Sequence, residues 1–167
     1  VLKSAFEQDY LSTPWYFTDG VRGANLSSEC GLGSALDGFK GTAPGSTAGV
    51  ALDAFTAAYQ EMYGEDPAPY SAQAYDAIMI MAISAAANGV TGADIASGLV
   101  EASGNGTACI GVECWALVAA GENVDYKGAS GDINLDEQGD PTASTYDVWA
   151  ITTGDEEEVL KSIDFGS

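Results

Sequence analysis

The sequence YKGASGDINLDEQGDPTASTYDVWAI, residues 126–151, contains two stretches with the alternation expected of β-strands. Ile133 and Leu135 alternate with polar residues, which predicts a strand with one polar face. The segment DEQGDP predicts a turn, and STYDVWAIT, rich in β-branched and aromatic residues, predicts a second strand. This part of the chain is therefore predicted to form two strands joined by an acidic turn.

Three helices are predicted upstream of these strands. The first lies within GSTAGVALDAFTAAYQEMYG (45–64), where apolar residues keep helical spacing, and Ser46 or Thr47 is expected to cap its start and Gly64 its end. The third follows a capping-box pattern from Thr91 to Asp94. These local signals predict a helical middle region.

The second of the three helices is apolar nearly all round. Ser71 is expected to cap its start, and Asn88 and Gly89 its end. Its apolar run, residues 77–87, is shorter than the roughly 20 residues that a membrane-spanning helix needs. We therefore expect a helix that protein covers on most sides.

The first part of the chain mixes short helices and strands. It opens on VLKSAFEQDY, which reads as part of a helix, and no signal peptide pattern is visible. PWYFTDG (14–20) and GFKGTAP (38–44) predict two short strands, with a short glycine-interrupted helix between them. The order of elements predicts an α/β fold.

The charge is strongly negative. There are 25 acidic and 5 basic residues, which gives a formal net charge of -20. Nucleic acid is excluded as a partner because phosphate binding needs clustered cations. The acidity is otherwise typical of a solvated surface.

Catalytic and metal-binding patterns are weak. The sequence has no histidine, which excludes histidine-based triads and zinc sites, and no motif selects a carboxylate pair or a serine with a lysine base. Asp132, Asn134 and Asp136 match the opening of a calcium loop, but Glu137 replaces the required glycine and Ala143 the closing glutamate. We therefore predict a protein that is not an enzyme and that has no cofactor or metal.

The chain has three cysteines. Cys109 and Cys114 are close enough in sequence to close a small loop by a disulfide if the compartment is oxidising. Cys30 is left over and is expected to be either a small buried apolar residue or a reactive thiol.

Asp19 is a candidate ligand-binding residue. It follows the strand predicted at 14–20, and open α/β sheets bind ligands at the carboxyl ends of their strands. The alternative is that Asp19 only serves the turn before Gly20.

Two long segments resemble a known family. ALDAFTAAYQEMYGEDPAPYSAQAYDAIMIMAISAAANG (51–89) and YKGASGDINLDEQGDPTASTYDVWAITTG (126–154) resemble the type I periplasmic binding proteins of ABC transporters, especially the group that binds branched-chain amino acids. FTDGVRGANL (17–26) looks like the family's strand and loop with an acidic ligand residue. The resemblance covers nearly the whole chain.

The resemblance implies the fold and its division. Family members have two three-layer α/β/α lobes joined by three crossover strands, with the ligand between the lobes, and are about twice as long as this chain. The chain thus looks like a C-terminal portion that contributes to both lobes. Residues 1–45 would belong to lobe 2, residues 46–130 to the helical part of lobe 1, and residues 131–167 to a hinge crossover and the last strand of lobe 2.

The resemblance also implies ligand-binding residues. Asp19 falls where amino-acid-binding members place the acid that pairs with the ligand's ammonium group. Tyr70 falls at the aromatic wall, or is a rim tyrosine at a helix start. Tyr75 and Asp76 belong to the AYDA signature, although core packing near the hinge explains them at least as well. Arg22, three residues after Asp19, can neutralise Asp19 or grip a ligand carboxylate.

The implied function is capture of a small ligand, an amino acid or similar polar metabolite, for uptake by an ABC-transporter permease. The missing N-terminal half would supply the other ligand contacts. The protein would be periplasmic or extracellular, and one arrangement has a lipid anchor on the missing half. A ligand-sensing receptor domain of the same fold is the alternative. A stand-alone acidic structural domain is a third reading.

Overall fold

The computed structural model describes residues 1–166; Ser167, the last residue of the predicted 131–167 segment, lies outside them. The helices are α1 Leu2–Glu7, α2 Leu26–Glu29, α3 Val50–Tyr63, α4 Ser71–Asn88, α5 Gly92–Ala102 and α6 Glu113–Ala119. The strands are β1 Tyr16–Phe17, β2 Lys40–Pro44, β3 Thr107–Cys109, β4 Val124–Tyr126, β5 Ala143–Ile151 and β6 Glu157–Gly166. Short 3-10 helices occur at Tyr10–Ser12, Asp19–Val21 and Gly33–Leu36.

The chain forms two compact units, and each unit combines separate parts of the sequence. The first unit contains Val1–Gly45 and Tyr146–Ile163. The second contains Ser46–Thr145 and the chain from Asp164 onward. Residues 131–145, which the sequence analysis grouped with the last strand, lie in the second unit. The assignment of these parts to two lobes remains a prediction.

The first unit is organised by a sheet with the strand order β1-β2-β5-β6. β2 runs parallel to β1 and antiparallel to β5. Leu32, Leu36, Ala43, Trp149 and Ile151 form its buried core. Because Trp149, Ala150 and Ile151 are all buried, this end of β5 is covered on both of its faces.

Trp149 determines which residue can occupy position 41. Its side chain is fully buried and its ring stacks on Phe17 with 6.2 Å between centroids. A Cβ atom on Gly41 would stand 2.5 Å from the indole ring. The glycine therefore leaves the space that the indole fills.

The second unit packs four helices, α3 to α6, with the parallel strand pair β3 and β4. α6 connects the two strands, and parallel strands need such a crossover. Its core contains Met79, Ile80, Ile83, Ala102, Cys109, Cys114, Val124 and Tyr126. β3, α6, β4 and β6 have no counterpart among the elements predicted from the sequence.

α4 is less covered than predicted. Met79, Ile80 and Ile83 are buried, but Ile78 is 62% exposed and Met81 39% exposed. The expectation of protein on most sides of this helix is therefore wrong for the structure described. Within residues 1–166 no single helix is long and apolar enough to cross a membrane, although α4 and α5 together, with a 108° bend between them, pass the same length and composition test.

The helix ends were predicted with mixed success. Gly64 ends α3 in the left-handed conformation, α4 ends at Asn88 before Gly89, and Thr91 and Asp94 form the predicted capping box of α5. The predicted caps at Ser46 or Thr47 and at Ser71 are wrong. α3 begins after Gly49, and Ser71 is already the first helical residue of α4.

The first of the two strands predicted within residues 126–151, the one with Ile133 and Leu135, is also wrong. Residues 132–136 take part only in isolated bridges. The Asp136 carboxylate accepts hydrogen bonds from the amides of Gln138 and Asp140, both at 2.9 Å. These bonds form the turn that DEQGDP predicts, and residues 132–136 before it find no continuous strand partner. The second predicted strand is present as β5.

The predicted disulfide is present. Cys109 lies at the end of β3 and Cys114 in α6, with 5.3 Å between their Cα atoms, and both are buried. Cys30 is a free, partly buried thiol packed against the core of the first unit. The bridge therefore links a strand to its own crossover helix inside the core of the second unit.

Removing the bridge should destabilise the protein. A double Cys109→Ala and Cys114→Ala variant should lose about 2 kcal/mol of unfolding free energy, because a short closed loop no longer restricts the unfolded chain. Urea unfolding with and without reductant measures the effect. A Cys30→Ala control should respond to reductant like the parent, and a parent whose stability ignores reductant would contradict the prediction.

Candidate functional site

The candidate site residues of the first unit lie in the loop after β1. Asp19 begins the 3-10 helix Asp19–Val21, and the amide of Arg22 donates to the Asp19 carbonyl at 3.0 Å. The loop therefore carries an acid and a base within one turn, just beyond the carboxyl end of a strand. The ligand-binding role of Asp19 remains a prediction.

Arg22 forms an ion pair with an acid of strand β5. Its Nη1 atom lies 3.1 Å from Oδ2 of Asp147 in β5, and the two side chains are only 15% and 11% exposed. The other oxygen of Asp147 accepts a hydrogen bond of 2.7 Å from the Ser162 hydroxyl. The charge of Arg22 is thus balanced by Asp147, a partner that the sequence analysis did not consider.

The candidate residues of the second unit lie at the start of α4. Tyr70 precedes the helix with a φ of 70°, in the left-handed region. That conformation is uncommon for a bulky residue and costs backbone energy. Such strain marks residues whose conformation the surrounding structure imposes.

Tyr75 packs against α3. Its ring lies 5.0 Å from the ring of Phe55, which in turn begins an aromatic row with Tyr59 and Tyr63. Burial raises the pKa of Tyr75, and the nearby Asp76 raises it further. Tyr75 is therefore a neutral, partly buried ring that joins α4 to α3, as the core-packing alternative expects, and its contact with a ligand remains a prediction.

Asp76 is the most heavily hydrogen-bonded acid of the second unit described here. It is 2% exposed. Its Oδ1 accepts from the Tyr126 hydroxyl at 2.7 Å and the Ala129 amide at 2.8 Å. Its Oδ2 accepts from the Ser130 amide at 2.7 Å and the Ser130 hydroxyl at 2.6 Å. We call Asp76, Tyr126, Ala129 and Ser130 the Asp76 clamp.

The clamp explains how a buried carboxylate is tolerated. Each oxygen has two donors, which replace the water that the charged group lost on burial. Burial and the hydrogen bond to Asp76 both raise the pKa of Tyr126, so that the phenol keeps its proton and donates. A Cβ on Gly128 would stand 2.5 Å from the carboxylate, so the loop needs glycine there. α4 is therefore fixed to the loop after β4.

The sequence carries a signal for this clamp. Asp76 is the one charged residue of the α4 sequence SAQAYDAIMIMAISAAAN. A lone acid on an apolar helix needs buried donors nearby. The segment YKGAS (126–130) supplies a phenol, a serine hydroxyl and loop amides, so the pairing was available to sequence reasoning.

Both acids of the calcium-like pattern have partners within the protein, Asp136 in its turn and Asp132 at Lys127. Lys127 Nζ lies 3.0 Å from Asp125 and 3.1 Å from Asp132. Burial alone would lower the pKa of Lys127, but hydrogen bonds to these two carboxylates raise it above the usual value. In the part of the chain that the structure covers, no group of three cysteine or acidic side chains is placed to hold a metal ion.

The second unit also has a surface cavity of about 180 Å³. Ile83, Gly98, Glu101 and Asn123 are among its lining residues, and neither Tyr70 nor Tyr75 belongs to that lining. The cavity is therefore separate from the residues predicted to bind ligand.

Comparison with known proteins identifies the family. A model described as the receptor family ligand binding region matches residues 15–154, which include Asp19, Arg22, Tyr70, Tyr75 and the Asp76 clamp. The chain belongs to this family. It is a type I periplasmic binding protein-like family, as the sequence predicted. Among curated proteins, none matches the chain significantly.

Solved structures agree on the fold. A leucine binding protein, LivK, from Thermotoga maritima matches with a TM-score of 0.66 and 23% identity over 94% of this chain. The branched-chain amino acid transporter substrate binding protein LivJ from Streptococcus pneumoniae, in complex with isoleucine, matches with a TM-score of 0.63 and 17% identity over 93% of this chain. The predicted α/β, type I periplasmic binding protein fold is confirmed.

The match covers only part of each neighbour. The chain corresponds to 39% of the LivK chain and 38% of the LivJ chain. This type I periplasmic binding protein-like chain therefore spans less than two fifths of the length of these relatives.

Breaking the Asp76 clamp should destabilise the protein strongly. In Asp76→Asn the amide nitrogen replaces one accepting oxygen and faces two donors, so we expect a loss of about 3 kcal/mol of unfolding free energy. Thermal or urea unfolding measures it. Glu61→Gln, on the exposed surface of α3, is the control and should change stability by less than about 0.5 kcal/mol. Equal stability of the two variants would contradict the structural role of the clamp.

Proposed function

We propose that this chain is part of an extracytoplasmic solute-binding protein that captures a small ligand between two lobes for uptake by an ABC transporter. The observation that carries the proposal is the family match over residues 15–154, which contains all four candidate ligand residues. The neighbours, described as binding leucine and isoleucine, favour an amino acid or a similar polar metabolite as the ligand. Binding, and not catalysis, is the proposed activity.

Asp19 is the proposed partner of a ligand ammonium group. It lies just beyond the carboxyl end of β1, the edge at which open α/β sheets bind ligands. A carboxylate makes strong charge-assisted hydrogen bonds to an ammonium group once water is excluded. In this proposal the cationic end of the ligand faces the first unit, and Arg22, paired with Asp147, supports the loop.

Tyr70 is the proposed aromatic contact for the ligand side chain. Its left-handed backbone holds it at the very start of α4. Tyr75 supports that end of the helix through its contact with Phe55. An aromatic wall suits an apolar ligand side chain because it offers a large apolar surface at a small conformational cost.

The remainder of the proposed protein would cover an exposed apolar face. None of the α3 residues is buried, and Met62, Tyr63 and Ile78 are 73%, 61% and 62% exposed. An amphipathic helix normally buries its apolar face. Since the solved relatives are more than twice as long, we propose that the N-terminal half of the same protein packs here and supplies further ligand contacts.

The proposed location is the periplasm or the cell exterior, where the protein meets a membrane permease. The buried disulfide is consistent with an oxidising compartment. A lipid anchor on the N-terminal half is part of the same proposal.

A ligand-sensing receptor domain is the second candidate, because the matching family is described as a receptor ligand-binding region. The upstream and downstream sequence discriminates between the two. A lipoprotein signal favours transport, and a membrane helix followed by a signalling domain favours a receptor.

Replacing Asp19 should abolish recognition of an ammonium-bearing ligand. With L-leucine as the probe, Asp19→Asn in the full-length protein should bind about 100-fold more weakly, because a charge-assisted contact that the closed complex would bury is lost. Isothermal titration calorimetry measures the affinity. Asp9→Asn, an exposed acid of the same unit, is the control and should bind like the parent. Unchanged affinity in Asp19→Asn would reject the ammonium contact.

The chain by itself should bind poorly. Ligand capture between two lobes needs contacts from both sides, so residues 1–167 alone should bind L-leucine at least about 100-fold more weakly than the full-length protein. Calorimetry on both proteins, after circular dichroism has shown that the shorter one is folded, gives the comparison. Full-length affinity in the short chain would contradict the proposal.

A further inference from the structure

The chain passes between the two units at three places. The boundaries lie at Gly45/Ser46, Thr145/Tyr146 and Ile163/Asp164. On the second-unit side, Thr145 and Asp164 stand directly at their boundaries and Thr47 is one residue further in. A polar side chain therefore lies on each of the three connecting segments.

These three side chains are hydrogen-bonded in series. The Thr145 hydroxyl donates to Oδ1 of Asp164 at 2.8 Å. Thr47 Oγ1 and Thr145 Oγ1 are 2.8 Å apart. A hydroxyl has one proton to donate, and Thr145 gives its proton to Asp164, so Thr47 is the donor to Thr145. We call Thr47, Thr145 and Asp164 the crossover latch.

The latch is anchored in the second unit. Thr145 is buried, and the amide of Thr47 donates to the carbonyl of Ser130 at 3.0 Å. Ser130 in turn gives two hydrogen bonds to Asp76. A continuous series of hydrogen bonds thus runs from α4 through the Asp76 clamp to all three connecting segments.

The first unit ties the same segments on its own side. Ser162, one residue from the third boundary, donates to Asp147 at 2.7 Å, and Asp147 lies one residue beyond Tyr146 at the second. At the first boundary, β2 pairs with β5 in the register Pro44↔Tyr146, and a Cβ on Gly45 would stand 2.5 Å from the same carboxylate. The connecting segments are therefore held together within each unit, close to where they leave it.

We propose that Thr47, Thr145 and Asp164 are positioning residues that make the three connecting segments bend as one, an inference that rests on the proposed capture of ligand by lobe closure. Hinges absorb their dihedral changes at a few residues. With the segments tied on both sides, bending is confined to the short stretches at the three boundaries. The open protein then samples few conformations. Little conformational entropy is therefore lost when ligand binds.

Thr145→Val is the variant that tests the latch. Valine keeps the approximate shape of threonine but removes the central hydroxyl, so Thr47 loses its acceptor and Asp164 its donor. Thr42→Val, on an exposed position of β2 outside the latch, is the matched control.

The decisive measurement is the distribution of distances between the units in the full-length protein without ligand. In a Cys30→Ser background, spin labels on Ser12→Cys and Glu61→Cys, both exposed and one in each unit, report it by pulsed electron resonance. We expect Thr145→Val to broaden the distribution about twofold and Thr42→Val to leave it unchanged. A merely structural threonine would lower stability without changing this width, so an unchanged width in folded Thr145→Val overturns the proposal.

Measuring the affinity for ligand tests the latch separately from the proposed function. L-leucine should bind Thr145→Val about three- to tenfold more weakly than the parent, because a smaller fraction of the protein is poised to close. If the parent binds no L-leucine while the variant still broadens the distribution, the latch stands and the proposed ligand class falls. If Thr145→Val does not fold, Asp164→Ala, which removes the acceptor, is measured in the same way, and an unbroadened distribution there overturns the latch.

Discussion

The second unit depends on a buried negative charge. Asp76 sits on an apolar helix, and the folded state can hold it there only when the Tyr126 hydroxyl and the donors of the loop after β4 surround it. This requirement sets the conformation of residues 126–130, including the close approach at Gly128. The start of α4, where the proposed ligand residue Tyr70 lies, is thereby fixed to the core through β4.

In the first unit, a partly buried acid is paired with a base instead of with neutral donors. Asp147 belongs to β5 but pairs with Arg22, so the loop that carries Asp19 is tied to the central sheet. This partly buried pair matters more for geometry than for net stability, because the cost of removing both charges from water offsets much of their attraction. The position of the loop that carries Asp19 is thus determined by the sheet.

Local sequence patterns correctly predicted the helix ends that depend on a few adjacent residues. Gly64 and the Thr91–Asp94 capping box were predicted because the residues that end or begin those helices are adjacent in sequence. Thr47 was assigned to the wrong partner because its hydroxyl bonds to Thr145, nearly 100 residues away. The strand predicted at 132–136 failed because alternation does not show whether a partner strand is available, and these residues form only isolated bridges. The family resemblance gave the fold and the candidate ligand residues, but not the pairing of Arg22 with Asp147 or the clamp at Asp76.

The exposed apolar residues of α3 and α4, such as Met62, Tyr63 and Ile78, have a consequence for how copies of this chain behave in solution. Exposed apolar residues attract one another, while a net charge of -20 makes every copy repel its neighbours. Added salt shortens the range of that repulsion, to about 10 Å at 0.1 M, but leaves the hydrophobic attraction in place. Colloidal stability of the chain by itself therefore depends on low ionic strength.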